Sequence, residues 1–112
     1  MKMENLKNIY KKLRTEVSQK YPDAKNVKLH ILHFGYAPLT QTSVYVTFLS
    51  RNPDTGKFQL SESNWHTLEK FSSPYDGREK LEQLSSKIRF PIKYHKSGSY
   101  FCDEIIVTSS RS

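Results

Sequence analysis

The stretch Val44-Tyr45-Val46-Thr47-Phe48-Leu49, followed by Asn52-Pro53-Asp54-Thr55-Gly56 and then Phe58-Gln59-Leu60, decides the fold. Val44, Val46 and Phe48 alternate with Tyr45, Thr47 and Leu49, the period of two that marks a strand. Pro53 presets a turn dihedral and Gly56 accepts a positive φ, so the chain reverses there and Phe58 and Leu60 continue as the next strand. Upstream, Val27, Leu29 and Ile31 alternate with Lys28, His30 and Leu32 in the same manner. Three antiparallel strands in a meander follow from these segments.

Helices flank the meander. Leu6, Ile9, Tyr10, Leu13 and Val17 keep the spacing of an amphipathic helix over residues 5–20, with Asn5 as its N-cap and Pro22 as its stop. Ser73-Pro74-Tyr75-Asp76 has the spacing of a capping box with Pro in the first helical position. Leu81, Leu84 and Ile88 then form a narrow apolar stripe that ends before Pro91. A short strand is expected from Phe90 to Tyr94, a turn at His95–Ser99, and a last strand from Tyr100 to about Thr108. Residues 61–72 fit either an extension of the third strand or a helical turn. The expected class is α+β: an N-terminal helix, a three-stranded antiparallel meander, a second helix and two further strands, with both helices on one face of the sheet. Residues 1–108 read as a single domain and residues 109–112 as a flexible tail.

The opening order α-β-β-β-α is similar to that of double-stranded-RNA-binding domains. That family grips phosphates with a Lys-rich start to its second helix. Here the second helix opens Tyr75-Asp76-Gly77-Arg78-Glu79-Lys80, mixed in sign, so the likeness is one of element order and carries no function.

The 112 residues are only 36% apolar, so the core is thin and leans on six Phe, seven Tyr and one Trp. A single cysteine, Cys102, excludes an internal disulfide, and no run of the sequence has the length or apolarity of a membrane span or signal peptide. A cytoplasmic setting, including a host cell's cytoplasm, is the expectation. Charge is distributed unevenly: residues 1–28 hold eight Lys/Arg against three acids, a net of +5 within a chain of +7. On the first helix Lys7, Lys11 and Arg14 form one stripe, lying roughly 80–140° from Leu6 at the helical period. Cations one turn apart can follow a phosphate backbone or an acidic protein face, although a charge run is often only a solvated surface. Lys25 and Lys28 would extend this stripe.

A second candidate is Lys93-Tyr94-His95-Lys96 with Tyr100, where cations interleave with rings that could stack on bases; a solubilising hairpin end is the alternative. A third is the uncharged stretch Gly35–Thr42, read as a loop whose Tyr36 and Leu39 either contact a partner or fold onto the core. Catalysis finds little support. His30 and His33 point to opposite faces of a strand, as do Asp103 and Glu104, and Cys102 sits beside two acids that would raise its thiol pKa. No metal, cofactor or small-molecule substrate is implied. The sequence thus favours a non-enzymatic binding domain that docks on nucleic acid through its cationic first helix, five cations giving a log-affinity against log-salt slope of roughly −3 to −5. The alternative is a compact phage or mobile-element inhibitor or adaptor that binds a host protein complex, such as a nucleic-acid-processing machine, through protein contacts.

Overall fold

The computed structural model describes residues 3–108, so the tail expected at 109–112 lies outside the described residues. The elements in chain order are α1 (Met3–Lys20), β1 (Lys25–Tyr36), β2 (Leu39–Arg51), β3 (Phe58–Glu62), β4 (His66–Phe71), α2 (Pro74–Ile88), β5 (Lys93–Ser97) and β6 (Tyr100–Thr108). All strand pairs are antiparallel and form one curled sheet in the order β3-β2-β1-β6-β5. β4 shares the outer edge of β2 with β3: β3 pairs with residues 47–51 of β2, and β4 with residues 40–44.

The α+β class and the β1–β2–β3 meander are therefore present, within a larger sheet than expected. The ambiguous stretch 61–72 resolves into the end of β3, a break, and the additional strand β4. At the break Ser63 stays tied to β2: its N–H donates to the Val46 carbonyl at 2.9 Å, and its Oγ accepts from the Val46 N–H at 2.9 Å. A fourth strand before α2 also removes the element order that resembled double-stranded-RNA-binding domains.

Other boundaries shift for local reasons. α1 starts at Met3, because nothing in Met3-Glu4 breaks a helix, so Asn5 lies inside it and is not the cap. The stretch 35–42 is not a loop. β1 runs through Gly35 to Tyr36 and β2 restarts at Leu39, leaving only Ala37-Pro38 as the connection, with a cis peptide bond between them. Gly35 reaches this position at φ 145°, where a Cβ would lie 2.7 Å from the Leu39 carbonyl oxygen. Likewise β5 occupies 93–97 instead of 90–94, and the turn narrows to Gly98-Ser99 with Gly98 at φ 60°.

Two features follow the sequence closely. Ser73 caps α2, its Oγ accepting from the Tyr75 N–H at 3.3 Å, with Pro74 in the first position. In the β2–β3 connection Asn52 Oδ1 accepts from the Asp54 and Thr55 N–H groups at 2.8 and 3.3 Å, and Gly56 takes φ 71°.

Leu6, Leu13 and Val17 of α1, Leu81 and Leu84 of α2, and Leu29, Ile31, Val44, Val46, Phe48 and Ile105 of the sheet share one core cluster. The sheet residues alternate along each strand, so the core meets a single face of β1, β2 and β6. α2 approaches that face at Gly77, a buried glycine inside a helix. A Cβ there would lie 2.2 Å from His33 Nε2, so the close approach requires glycine. In an exposed helix Gly→Ala stabilises by up to ~1 kcal/mol. Here Gly77→Ala is expected to reverse that sign and cost about 1–3 kcal/mol in urea denaturation, as overpacking does; a stabilised variant would show that α2 is free to lift.

Candidate functional site

The three residues of the α1 stripe remain at the surface. Lys7, Lys11 and Arg14 are exposed, and among the described residues none of the ion pairs involves α1. Arg14 Nη1 donates to Tyr10 Oη at 3.3 Å, which lays the guanidinium along the stripe without neutralising it. Lys11 and Arg14 also border a shallow groove with Thr15, Ser18 and Gln19.

Lys25 and Lys28 do not extend this stripe. Lys28 alternates with Leu29 and pairs with Thr47, so it points to the face opposite the core, whereas α1 packs on the core side. Lys25 Nζ sits 3.9 Å from the Phe58 ring centroid, held by a cation–π contact to β3. A local irregularity between Lys25 and Lys28, with Asn26 at φ 56°, breaks the regular alternation there.

The 93–96 run divides in two. Tyr94 pairs with Asp103 and Lys96 with Phe101, which places both on the core side of the sheet. Lys93 pairs with Glu104, and Ser97 with Tyr100, on the other side. β5 is three strands from β2, on which α1 packs, a separation of about 14 Å at the usual strand spacing. The two basic regions are thus distinct.

Tyr94 and Lys96 instead meet residues that spacing along the chain could not supply. Arg78 of α2 donates from Nε to Asp103 Oδ2 at 3.0 Å and from Nη2 to Oδ1 at 3.4 Å. Its guanidinium carbon lies 5.4 Å from the Tyr94 ring and 5.8 Å from the Phe101 ring. The hydrogen bond to Asp103 holds the Arg78 pKa above its ordinary value. Around this group opens a cleft of about 710 Å³, lined by Pro38 from the β1–β2 hairpin, Pro74, Tyr75 and Arg78 from α2, and Lys96, Gly98, Ser99 and Phe101 from the β5–β6 hairpin. Sequence reading missed Arg78 and Tyr75, since their role depends on the β5–β6 register; the capped start of α2 was the available signal.

Beneath the cleft lies an enclosed polar cluster. His33 Nε2 and Thr40 Oγ1 share a hydrogen bond of 2.9 Å, and His33 Nδ1 stands 3.6 Å from Asp103 Oδ2 without a hydrogen-bond partner. The order Thr40–His33–Asp103 has the look of a nucleophile, base and acid. His33 has no solvent exposure and Thr40 is buried, so neither side chain is presented at the surface. On the opposite face His30 lies between Glu104 Oε2 at 3.1 Å and Thr47 Oγ1 at 2.7 Å, and stacks on Tyr45, which in turn stacks on Trp65. Burial, reinforced by Glu104 and Asp103, pushes the Cys102 thiol up, so it stays protonated at neutral pH. Among the described residues no three His, Cys, Asp or Glu side chains converge as a metal site, and no helix is long and apolar enough to cross a membrane.

Burial pushes the His33 imidazole below its ordinary value of 6.5, Asp103 opposing the shift and Arg78 adding to it. The unfolded chain therefore takes up the proton more readily than the native one. This contribution to stability is whole above pH 6.5 and is lost as the pH falls toward the lowered native value. His33→Asn is expected to flatten the dependence of unfolding free energy on pH below 6.5, measured by chemical denaturation; an unchanged slope would assign that dependence to other groups.

Comparison with protein-family models, with curated proteins and with solved structures finds no match for this chain.

Proposed function

We propose that this protein is a non-enzymatic binding domain that docks on nucleic acid through the cationic flank of α1. The carrying observation is that Lys7, Lys11 and Arg14 are exposed along one side of a helix without an acidic partner among the described residues. Like charges at this spacing repel by a few tenths of a kcal/mol per pair, a cost that a polyanion offsets. Three of the eleven acids are engaged elsewhere: Asp103 by Arg78, Glu69 by Lys80 and Glu104 by His30. With Lys25 and Lys28 on the far face, three cations make the contact rather than five.

A second reading, an inhibitor or adaptor directed at a host protein complex, draws support from the β1–β2 hairpin end. Tyr36 and Leu39 are 64% and 72% exposed there and do not fold onto the core. Apolar side chains placed together at a hairpin tip suit a protein contact.

Fluorescence anisotropy with a labelled 20-base-pair duplex tests the first reading. Three phosphate contacts give a slope of roughly −3 in log affinity against log salt. The K7E/K11E/R14E variant should lose this binding while keeping its far-ultraviolet circular dichroism. No binding by the parent at micromolar concentration in low salt removes the nucleic-acid reading. A stoichiometric protein partner that survives nuclease treatment of a lysate would then favour the second.

A further inference from the structure

The cleft beside the start of α2 combines three properties that a surface hollow need not have. Its charged lining residues, Arg78 and Lys96, are both positive. Asp76 and Glu79 lie on the other flank of α2, around a separate hollow with Glu69, Lys70 and Lys80. Arg78 is oriented in advance: Asp103, 1% exposed, holds its Nε and Nη2, while 47% of the Arg78 side chain stays open to solvent with Nη1 uncommitted. Two exposed rings stand beside these cations: Tyr75, which lines the cleft, at 84% exposure, and Tyr94, next to the lining with its ring 5.4 Å from the Arg78 guanidinium, at 59%. Pro38 forms the facing wall, and the space of about 710 Å³ falls within the range of small-ligand sites.

We infer that this cleft binds an unpaired nucleotide of a nucleic-acid strand, the base against Tyr75 or Tyr94 and a phosphate at Arg78 and Lys96. The chemistry selects the ligand. Arg78, already charge-balanced in part by Asp103, offers a fixed planar donor pair suited to a phosphate oxygen. Exposed rings beside cations are the combination that holds single strands, because every base has a stackable face. An acidic peptide would use the cations and leave both rings without a role. The inference rests on the nucleic-acid reading of this protein but concerns a different surface, since Lys96 is on β5, three strands from the β2 on which α1 packs.

The probe is fluorescently labelled tetrathymidylate, added to the full chain in anisotropy titrations. Tyr75→Ala and Tyr94→Ala remove exposed rings and leave the Arg78–Asp103 pair in place. The variant that removes the ring under the base is expected to weaken binding about 5- to 150-fold, the loss of one stacked base. The K7E/K11E/R14E variant should bind the tetranucleotide within about threefold of the parent while losing the duplex, because charges beyond a Debye length are screened at physiological salt. If the parent ignores the duplex but binds tetrathymidylate through Tyr75, the α1 reading fails and this one stands. The inference is overturned if the parent does not bind tetrathymidylate, if both tyrosine variants bind it unchanged, or if a tetraglutamate peptide binds as tightly and with the same sensitivity to the tyrosines.

Discussion

His33 has no contact with solvent, and α2 descends on its ring at the one position where the helix has no side chain, Gly77. That approach fixes the height of α2 above β1. The same imidazole bonds to Thr40 on β2 and faces Asp103 on β6, so three adjacent strands and one helix meet around it. The rings of Phe71 and Phe101 meet it edge-on at 5.6 and 5.0 Å, closing the pocket from β4 and β6. A neutral ring fits this dry site, and its burial penalises the charged form. Asp103 transmits the arrangement outward: buried against His33 on one side, it anchors Arg78 at the mouth of the cleft on the other. A chain of polar contacts therefore connects the buried side of the sheet to the cleft.

The two faces of the sheet are stabilised differently. The core side buries aliphatic side chains from both helices. Among the described residues the other side has no comparable aliphatic cluster, yet Leu32, Ser43, Tyr45 and His30 are buried there too. Aromatic stacking supplies the cover: Trp65, at the break between β3 and β4, lies on Tyr45 at 4.4 Å between centroids and 2° between planes, and Tyr45 lies on His30 at 4.7 Å. Burial, with Glu104, Glu62 and Cys102 adding to it, leaves the Tyr45 hydroxyl pushed up to about 12, so this layer stays uncharged on the tyrosine through the physiological range. A thin, ring-rich composition is compatible with a folded sheet because flat side chains can close a curved surface.

Much of this was legible in local pattern. The heptad-like spacing of α1, the Ser73-Pro74 cap, the Asn52–Gly56 reversal and the alternation in β1 and β2 each depend on residues within a few positions of one another. What could not be read depended on distant partners. The uncharged stretch Gly35–Thr42 read as a loop, but its place was decided by pairing of Phe34 with Gln41 and Tyr36 with Leu39. β4 has weak periodicity and exists because β2, thirteen residues long, offers edge enough for two strands in succession. For the candidate sites, the charge stripe of α1 is a property of one helix and was visible. The cleft was not, because Arg78 stands 25 positions from Asp103 and the capped start of α2 does not by itself point to that partner.

Among the described residues β5 closes one side of the sheet with no strand beyond it, and all five of its residues are exposed. Such an edge presents free backbone donors and acceptors to any passing chain, and charged side chains are a common way to make that docking unfavourable. Lys93 and Lys96, on opposite faces of the strand, give it a positive fringe above and below. Lys96 thus sits where a charge disfavours β-sheet self-association, and neutralising it is expected to alter the colloidal behaviour of the protein.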